Sequence, residues 1–202
     1  MTAVPFDFPG AARGPRLWDW LVLRAAPMVL LFVAMLLFSW NAHPAEEDST
    51  LEQRVKAAFL YQFAGYVEWP PNSFPQPTTP ISIAVMGADT VAAELSQVVT
   101  GRTIGGRSVT VRRVKPGESL AGVHILFVGR AESARLGQLA APKAMLTVTE
   151  TDGALTHGSM INFVLVERRV RFEIALDSAE KSGLKLSSRL LAVAQQVQKG
   201  TP

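Results

Sequence analysis

Gly101 to Ser108 reads G-R-T-I-G-G-R-S, one residue away from the phosphate-loop pattern G-x-x-x-x-G-K-[ST], with Arg107 standing where the lysine belongs. A phosphate loop has to follow a strand and open a helix, because the free N–H groups of the first helical turn face the phosphates. Here a helical pattern precedes the segment and a strand pattern follows it, so it reads as a glycine-rich turn. Gly87 and Gly129 each stand between a strand and a helix, but single glycines do not make a dinucleotide fingerprint. They mark strand carboxyl ends, where open α/β sheets gather ligands. With Glu150, at the end of a later strand, they form a candidate ligand cleft; plain turn geometry is the competing reading.

Other chemistry is sparse. Of the three histidines, His43 lies near the N-terminus, His124 sits inside an apolar run, and His157 is beside Gly158. His124 reads as a hydrogen-bonded core residue, and no histidine has an Asp, Glu or His partner at metal-ligand spacing. There is no G-x-S-x-G elbow for a serine nucleophile. The chain has no cysteine, which removes disulfides, thiolate zinc sites and cysteine nucleophiles together. No cofactor is called for. Arg169, Arg171 and Glu173 share one face of a strand, opposite Val170, Phe172 and Ile174. Such a charged row is either a solvated or cross-paired sheet face, or, at Arg171 and Glu173, a partner contact. Tyr66 and Trp69 close the first helix before a Pro-rich loop. They either seal that helix against the sheet or anchor a partner, as aromatics at binding hot spots do.

The elements that must hold these residues follow from periodicity. Ser49 and Glu52 have capping-box spacing. Leu51, Val55, Phe59, Phe63 and Tyr66 recur at one helical turn, and Pro70 and Pro71 stop the helix near Trp69. Strands are predicted over 81–86, 109–114, 123–128 and 144–148, and a hairpin over 160–166 and 169–175 turning at Glu167 and Arg168. Helices are predicted over 91–99, capped by Asp89, and over 132–139. Asp177 with Glu180 suggests another capping box, closed by Gly183. Ser187 or Ser188 opens a last helix with Leu190, Val193, Ala194 and Val197 on one face. The expected fold is a single three-layer α/β domain. Its sheet is mixed and partly parallel, with helices on both faces and a C-terminal β-hairpin followed by helices.

The chain has 202 residues, 48% hydrophobic, with a formal net charge of +3. That is enough for one domain with a sizeable core plus a targeting segment. The basic residues form no stripe with interleaved aromatics, which argues against a nucleic-acid partner. Arg13, Arg16 and Arg24 precede an unbroken apolar run from Met28 to Trp40. That run is shorter than the ~20 residues of a membrane span and suits an export signal. Residues 1–45 are therefore expected to be a signal peptide or an uncleaved inner-membrane anchor, with 46–202 the folded domain on the outer side.

The whole post-signal chain resembles the YfiR family of periplasmic regulators (YfiR/HmsC-like). The resemblance starts with V-K-A-A-F-L-Y-Q-F-A-G-Y-V-E-W-P (Val55 to Pro70). It continues through G-R-S-V-T-V (Gly106 to Val111), H-I-L-F-V (His124 to Val128), L-T-V-T-E (Leu146 to Glu150) and G-S-M-I-N-F (Gly158 to Phe163). R-V-R-F-E-I (Arg169 to Ile174) and S-S-R-L-L-A-V-A (Ser187 to Ala194) complete it. It spans roughly residues 52–198, and the ordered succession of motifs is what identifies it. The resemblance implies a periplasmic α/β domain. Its best-known type represses an inner-membrane diguanylate cyclase through the cyclase's periplasmic sensor part, lowering cyclic di-GMP and biofilm formation. Members often carry a cysteine just before H-I-L-F, where this chain has Val123, so disulfide-based redox control is not expected here.

Three function classes follow. The first is a non-enzymatic periplasmic regulator that contacts an inner-membrane diguanylate cyclase or sensor kinase, with a homodimer as an open alternative. The second is a small-molecule-sensing domain using the strand-end cleft. The third, an unrecognised hydrolase, lacks a base–nucleophile pair.

Overall fold

The computed structural model describes residues 44–139 and 142–199. The apolar run and arginines of the expected export signal lie outside the described residues.

Helix α1 (Pro44–Tyr66) leads into β1 (Val67–Glu68), a 3-10 turn (Pro71–Ser73), β2 (Ile81–Met86) and helix α2 (Asp89–Val99). Then come β3 (Thr103–Ile104), β4 (Arg107–Arg113), β5 (Ile125–Val128), a 3-10 segment (Arg130–Gln138) and β6 (Leu146–Thr149). A second 3-10 turn (Ala154–His157) precedes the hairpin β7 (Ile161–Val166) and β8 (Arg169–Ala175). Helix α3 (Leu176–Lys181), β9 (Lys185–Leu186), helix α4 (Ser188–Val193) and β10 (Gln196–Gln198) finish the described chain.

Eight of these strands form one sheet in the order β10-β8-β7-β6-β5-β2-β4-β3, and β1 pairs separately with β9. The central run β4-β2-β5-β6-β7 is parallel. β7–β8 and β3–β4 are antiparallel, so the sheet is mixed, as expected. Strand alternation divides the core in two. Ile83, Val85, Ile125, Phe127, Leu146 and Val148 face the layer containing α1 and α2. Ala84, Met86, Leu126 and Val128 face the other side with Val123, Leu136 and Met145, under the loops and the 3-10 segment. Because β2, β5 and β6 are covered on both faces, they read as continuous apolar runs. Phe63, Phe127 and Phe172 are fully buried, each contributing ~1.5–3 kcal/mol over an exposed position. Phe63 stacks on Phe163, with centroids 5.8 Å apart, and meets Phe172 edge-on at 5.1 Å.

Several local expectations are corrected. Helix α1 begins at Pro44, so Ser49 lies inside it and no capping box forms with Glu52. Proline at a first helical position has no N–H to leave unpaired. The helix stops at Tyr66, because Val67 and Glu68 are drawn into pairing with Leu186 and Lys185. Its buried face carries Ala57, Leu60, Phe63 and Ala64, while Leu51 is 57% exposed. The Asp89 cap is not made: α2 starts at Asp89 itself and Ala88 holds the cap position. Asp177 likewise lies within α3, with no side-chain cap. Ser187 does cap α4, accepting from the Leu190 N–H at 3.3 Å. That helix ends at Val193, and Val197 belongs to β10, parallel to β8.

Candidate functional site

The glycine-rich segment forms the β3–β4 hairpin, turning at Gly105 and Gly106 with φ of 56° and 78°. Those angles suit the two-residue turn that matches strand twist. Arg107 is therefore structural. Its guanidinium donates to the carbonyls of Gln76 and Thr79, each at 2.9 Å, and lies 4.1 Å over the Phe74 ring.

Gly87 and Gly129 do meet, at the crevice between β2 and β5 where the strand order reverses. The crevice is filled rather than open. A Cβ at Gly129 would stand 2.4 Å from the Gly87 carbonyl oxygen, and one at Gly87 would stand 2.6 Å from Glu132 Cγ. The Gly129 N–H donates to the Met86 carbonyl at 2.8 Å. Gly129 is glycine because the Gly87 backbone touches it, and Gly87 because its φ of 67° is left-handed and the Glu132 side chain lies against it. Both glycines sit at this close approach.

Glu150 sits beyond the end of β6 in a different setting. One carboxylate oxygen accepts the Arg130 backbone N–H at 3.0 Å, and the other accepts from the ammonium of Lys56. Lys56 is 3% exposed and also pairs with Glu52, one turn earlier on α1. A buried ammonium needs such partners, since leaving it unpaired costs several kcal/mol. The loop bearing Glu150 is tied down from below. Asn162 Oδ1 accepts from the Thr149 hydroxyl at 2.8 Å and from the Thr151 N–H at 3.0 Å. A pocket of about 130 Å³ adjoins this network, lined by Lys56, Arg130, Glu150, Asp152 and Phe163 among others. Lys56 was not singled out by the sequence. The signal was there, in a lysine amid Val55, Ala57 and Ala58 with Glu52 at i−4.

Tyr66 and Trp69 are half-buried and pack against the main core. The Trp69 ring meets Phe74 and His124 edge-on, at 6.1 Å and 6.0 Å, and its buried indole N–H has no acceptor among the described residues. His124 is the core histidine the sequence suggested. Its Nδ1 accepts from the Ser82 N–H at 3.1 Å, so the ring is neutral with the proton on Nε2, which donates to the Ser73 carbonyl at 3.1 Å. Burial lowers its pKa and Arg107 adds to the lowering, against the bond to Ser73, which raises it.

Arg171 borders an open groove between the first half of α1 and the β7–β8 tip. The groove has a volume of about 390 Å³, with Leu51, Val55, Phe59, Leu165 and Val170 as its apolar lining. Glu173 lies further along β8, opposite Asn162 and Gln196, and does not line it. The structure therefore brings Arg171 to a concave surface but keeps it apart from Glu173, Tyr66 and Trp69. The first part of the apolar stripe of α1, Leu51–Val55–Phe59, lines the groove. An apolar period cannot say which end of a helix the sheet leaves uncovered.

A family model described as YfiR/HmsC-like matches residues 53–195. No curated protein matches the chain.

Proposed function

The chain belongs to the YfiR/HmsC-like family, whose members are periplasmic regulators of cyclic di-GMP signalling, and on that premise we propose that it acts by contact. In this reading residues 1–45 direct the domain 46–202 to the periplasm, as a cleaved signal peptide or an anchor. There it binds the outward-facing part of an inner-membrane diguanylate cyclase and holds the cyclase down, without catalysing a reaction itself. The observation that carries the reading is the open apolar groove beside α1. It holds Leu51 and Leu165, at 57% and 52% exposed two of the three exposed large apolar side chains among the described residues, the third being Val193. Exposed apolar surface gathered in a groove marks a binding surface.

The test is intracellular cyclic di-GMP in cells lacking the chain, in cells overproducing it, and in cells producing it without residues 1–45. Loss is expected to raise the nucleotide and overproduction to lower it, with the shortened chain inert. Unchanged levels in all three would end the proposal. A second reading, a small-molecule sensor, has the charged pocket beside Glu150 in its favour. It requires a ligand whose binding is lost in Glu150→Gln.

A further inference from the structure

The Pro-rich segment 70–80 is fastened to the fold by side chains. Among the described residues its backbone N–H groups bond only within the segment, Ser73 to the Pro70 carbonyl at 3.0 Å and Thr79 to the Gln76 carbonyl at 3.1 Å. Two side chains from outside hold three of its carbonyls. Arg107 holds those of Gln76 and Thr79, and His124 holds that of Ser73. Phe74 of the segment lies between the same two groups, 4.4 Å from the imidazole and 4.1 Å from the guanidinium. His124 itself is fixed. Its backbone N–H donates to the Ser82 carbonyl at 2.9 Å, and its carbonyl accepts from the Leu146 N–H at 2.8 Å. It is 4% exposed, beneath Phe74 and Trp69.

We infer that segment 70–80 is an acid-released flap: a second ring proton on His124 lifts it from the sheet, which stays folded, and bares Phe74 and Trp69. Nδ1 accepts from the Ser82 N–H, so protonation there sets two donors against each other. The imidazolium then needs water. The ring's own backbone is held by β2 and β6, so its cover has to move instead, and that cover is Phe74 with the segment bearing it. Stacking on Phe74 does not rescue the cation, because Arg107 already occupies the ring's other face. The groups facing His124 are Ser82 on β2, Trp69 beyond β1, Ser73 and Phe74 on the segment, and Arg107 on β4. Arg107 carries the only charge among them. Opening also gives water to the Trp69 indole N–H and the Ser73 hydroxyl, both buried without a partner among the described residues. A segment held by few contacts opens locally before the whole fold does.

Hydrogen exchange of the full-length protein, read by mass spectrometry between about pH 7.5 and about pH 5 and corrected for intrinsic rates, tests this. Below the ordinary histidine value of 6.5, exchange in peptides covering 70–80 is expected to rise by up to about tenfold per pH unit, the limit for one proton. Peptides from β2, β5 and β6 are expected to keep their protection. In His124→Gln the corrected exchange of the segment should not depend on pH. Nitrogen NMR of the wild type adds a check that needs no variant: at neutral pH the His124 proton is expected on Nε2, with Nδ1 bare. The flap is ruled out by any of four results. These are flat exchange across the range, segment and sheet losing protection together, an acid response that persists in His124→Gln, and a neutral ring protonated on Nδ1.

Discussion

The imidazole of His124 lies face to face with the ring of Phe74, their centroids 4.4 Å apart and their planes within 11° of parallel. Arg107 covers the other side of the pair, 4.1 Å from the Phe74 centroid. The stack joins the Pro-rich loop to the start of β5, and it requires a neutral imidazole, because Nδ1 accepts the Ser82 N–H. A proton on Nδ1 would break that bond and place a second cation near Arg107.

Stability is therefore expected to fall as the solution is acidified. The folded pKa of His124 lies below the ordinary value of 6.5. Above 6.5 both states are neutral and the full stability is present. Below it the unfolded chain takes up a proton that the folded chain refuses, so stability drops until the pH reaches the folded pKa. Denaturant melts of the wild type and His124→Gln across this window test the point. The difference between them should shrink towards acid; a constant difference would show that His124 does not titrate on unfolding.

Trp69 should behave mainly as a packing residue. Trp69→Ala is expected to cost about 3 kcal/mol, the usual range for truncating a packed aromatic. Trp69→Phe should cost clearly less, because it keeps a ring against Phe74 and removes an indole N–H that has no acceptor among the described residues. Equal losses in thermal melts would mean that the indole finds a partner in solution. An unchanged melting temperature for Trp69→Ala would return the residue to the partner-anchoring role.

The ion pair of Lys56 and Glu150 is expected to show strong coupling. Lys56→Met alone leaves the Glu150 carboxylate, 13% exposed, without its ammonium. Losses of ~3 kcal/mol or more are typical when one member of a buried pair is removed. Glu150→Gln in the Lys56→Met background should then cost little or restore stability. A double-mutant cycle by urea unfolding measures this, and additive losses would show that the pair is not coupled.

The β7–β8 turn is a place where stability can be raised. Glu167 and Arg168 hold left-handed conformations, with φ of 49° and 62°, without being glycine. Glu167→Asn with Arg168→Gly supplies the residues such turns favour and should add about 1 kcal/mol. The exposed pair of Arg168 with Asp48 offsets little of this gain. If the groove is the docking surface, the stabilised variant should bind its partner less well. A variant that melts lower would show that Arg168 contributes more to the fold than its exposure suggests.

The sequence by itself determined the alternation of elements, the buried central strands, the hairpin turning at Glu167 and Arg168, and His124 as a core residue. These are local properties. Apolar runs, strand alternation and turn residues act within a few positions, and the ordered motifs from Val55 to Ala194 carried the family. Only the tertiary structure decided that Gly87 and Gly129 close a crevice instead of opening one, because two backbones meet there from strands about forty positions apart in the chain. Likewise, Lys56 became a buried charge only when α1 was laid over the end of β6, which brought Glu150 to it across 94 positions. The apolar stripe of α1 was legible, but which part became core and which part became groove was not. That division depends on where the sheet stops beneath the helix, and no residue of the helix encodes the extent of its neighbour.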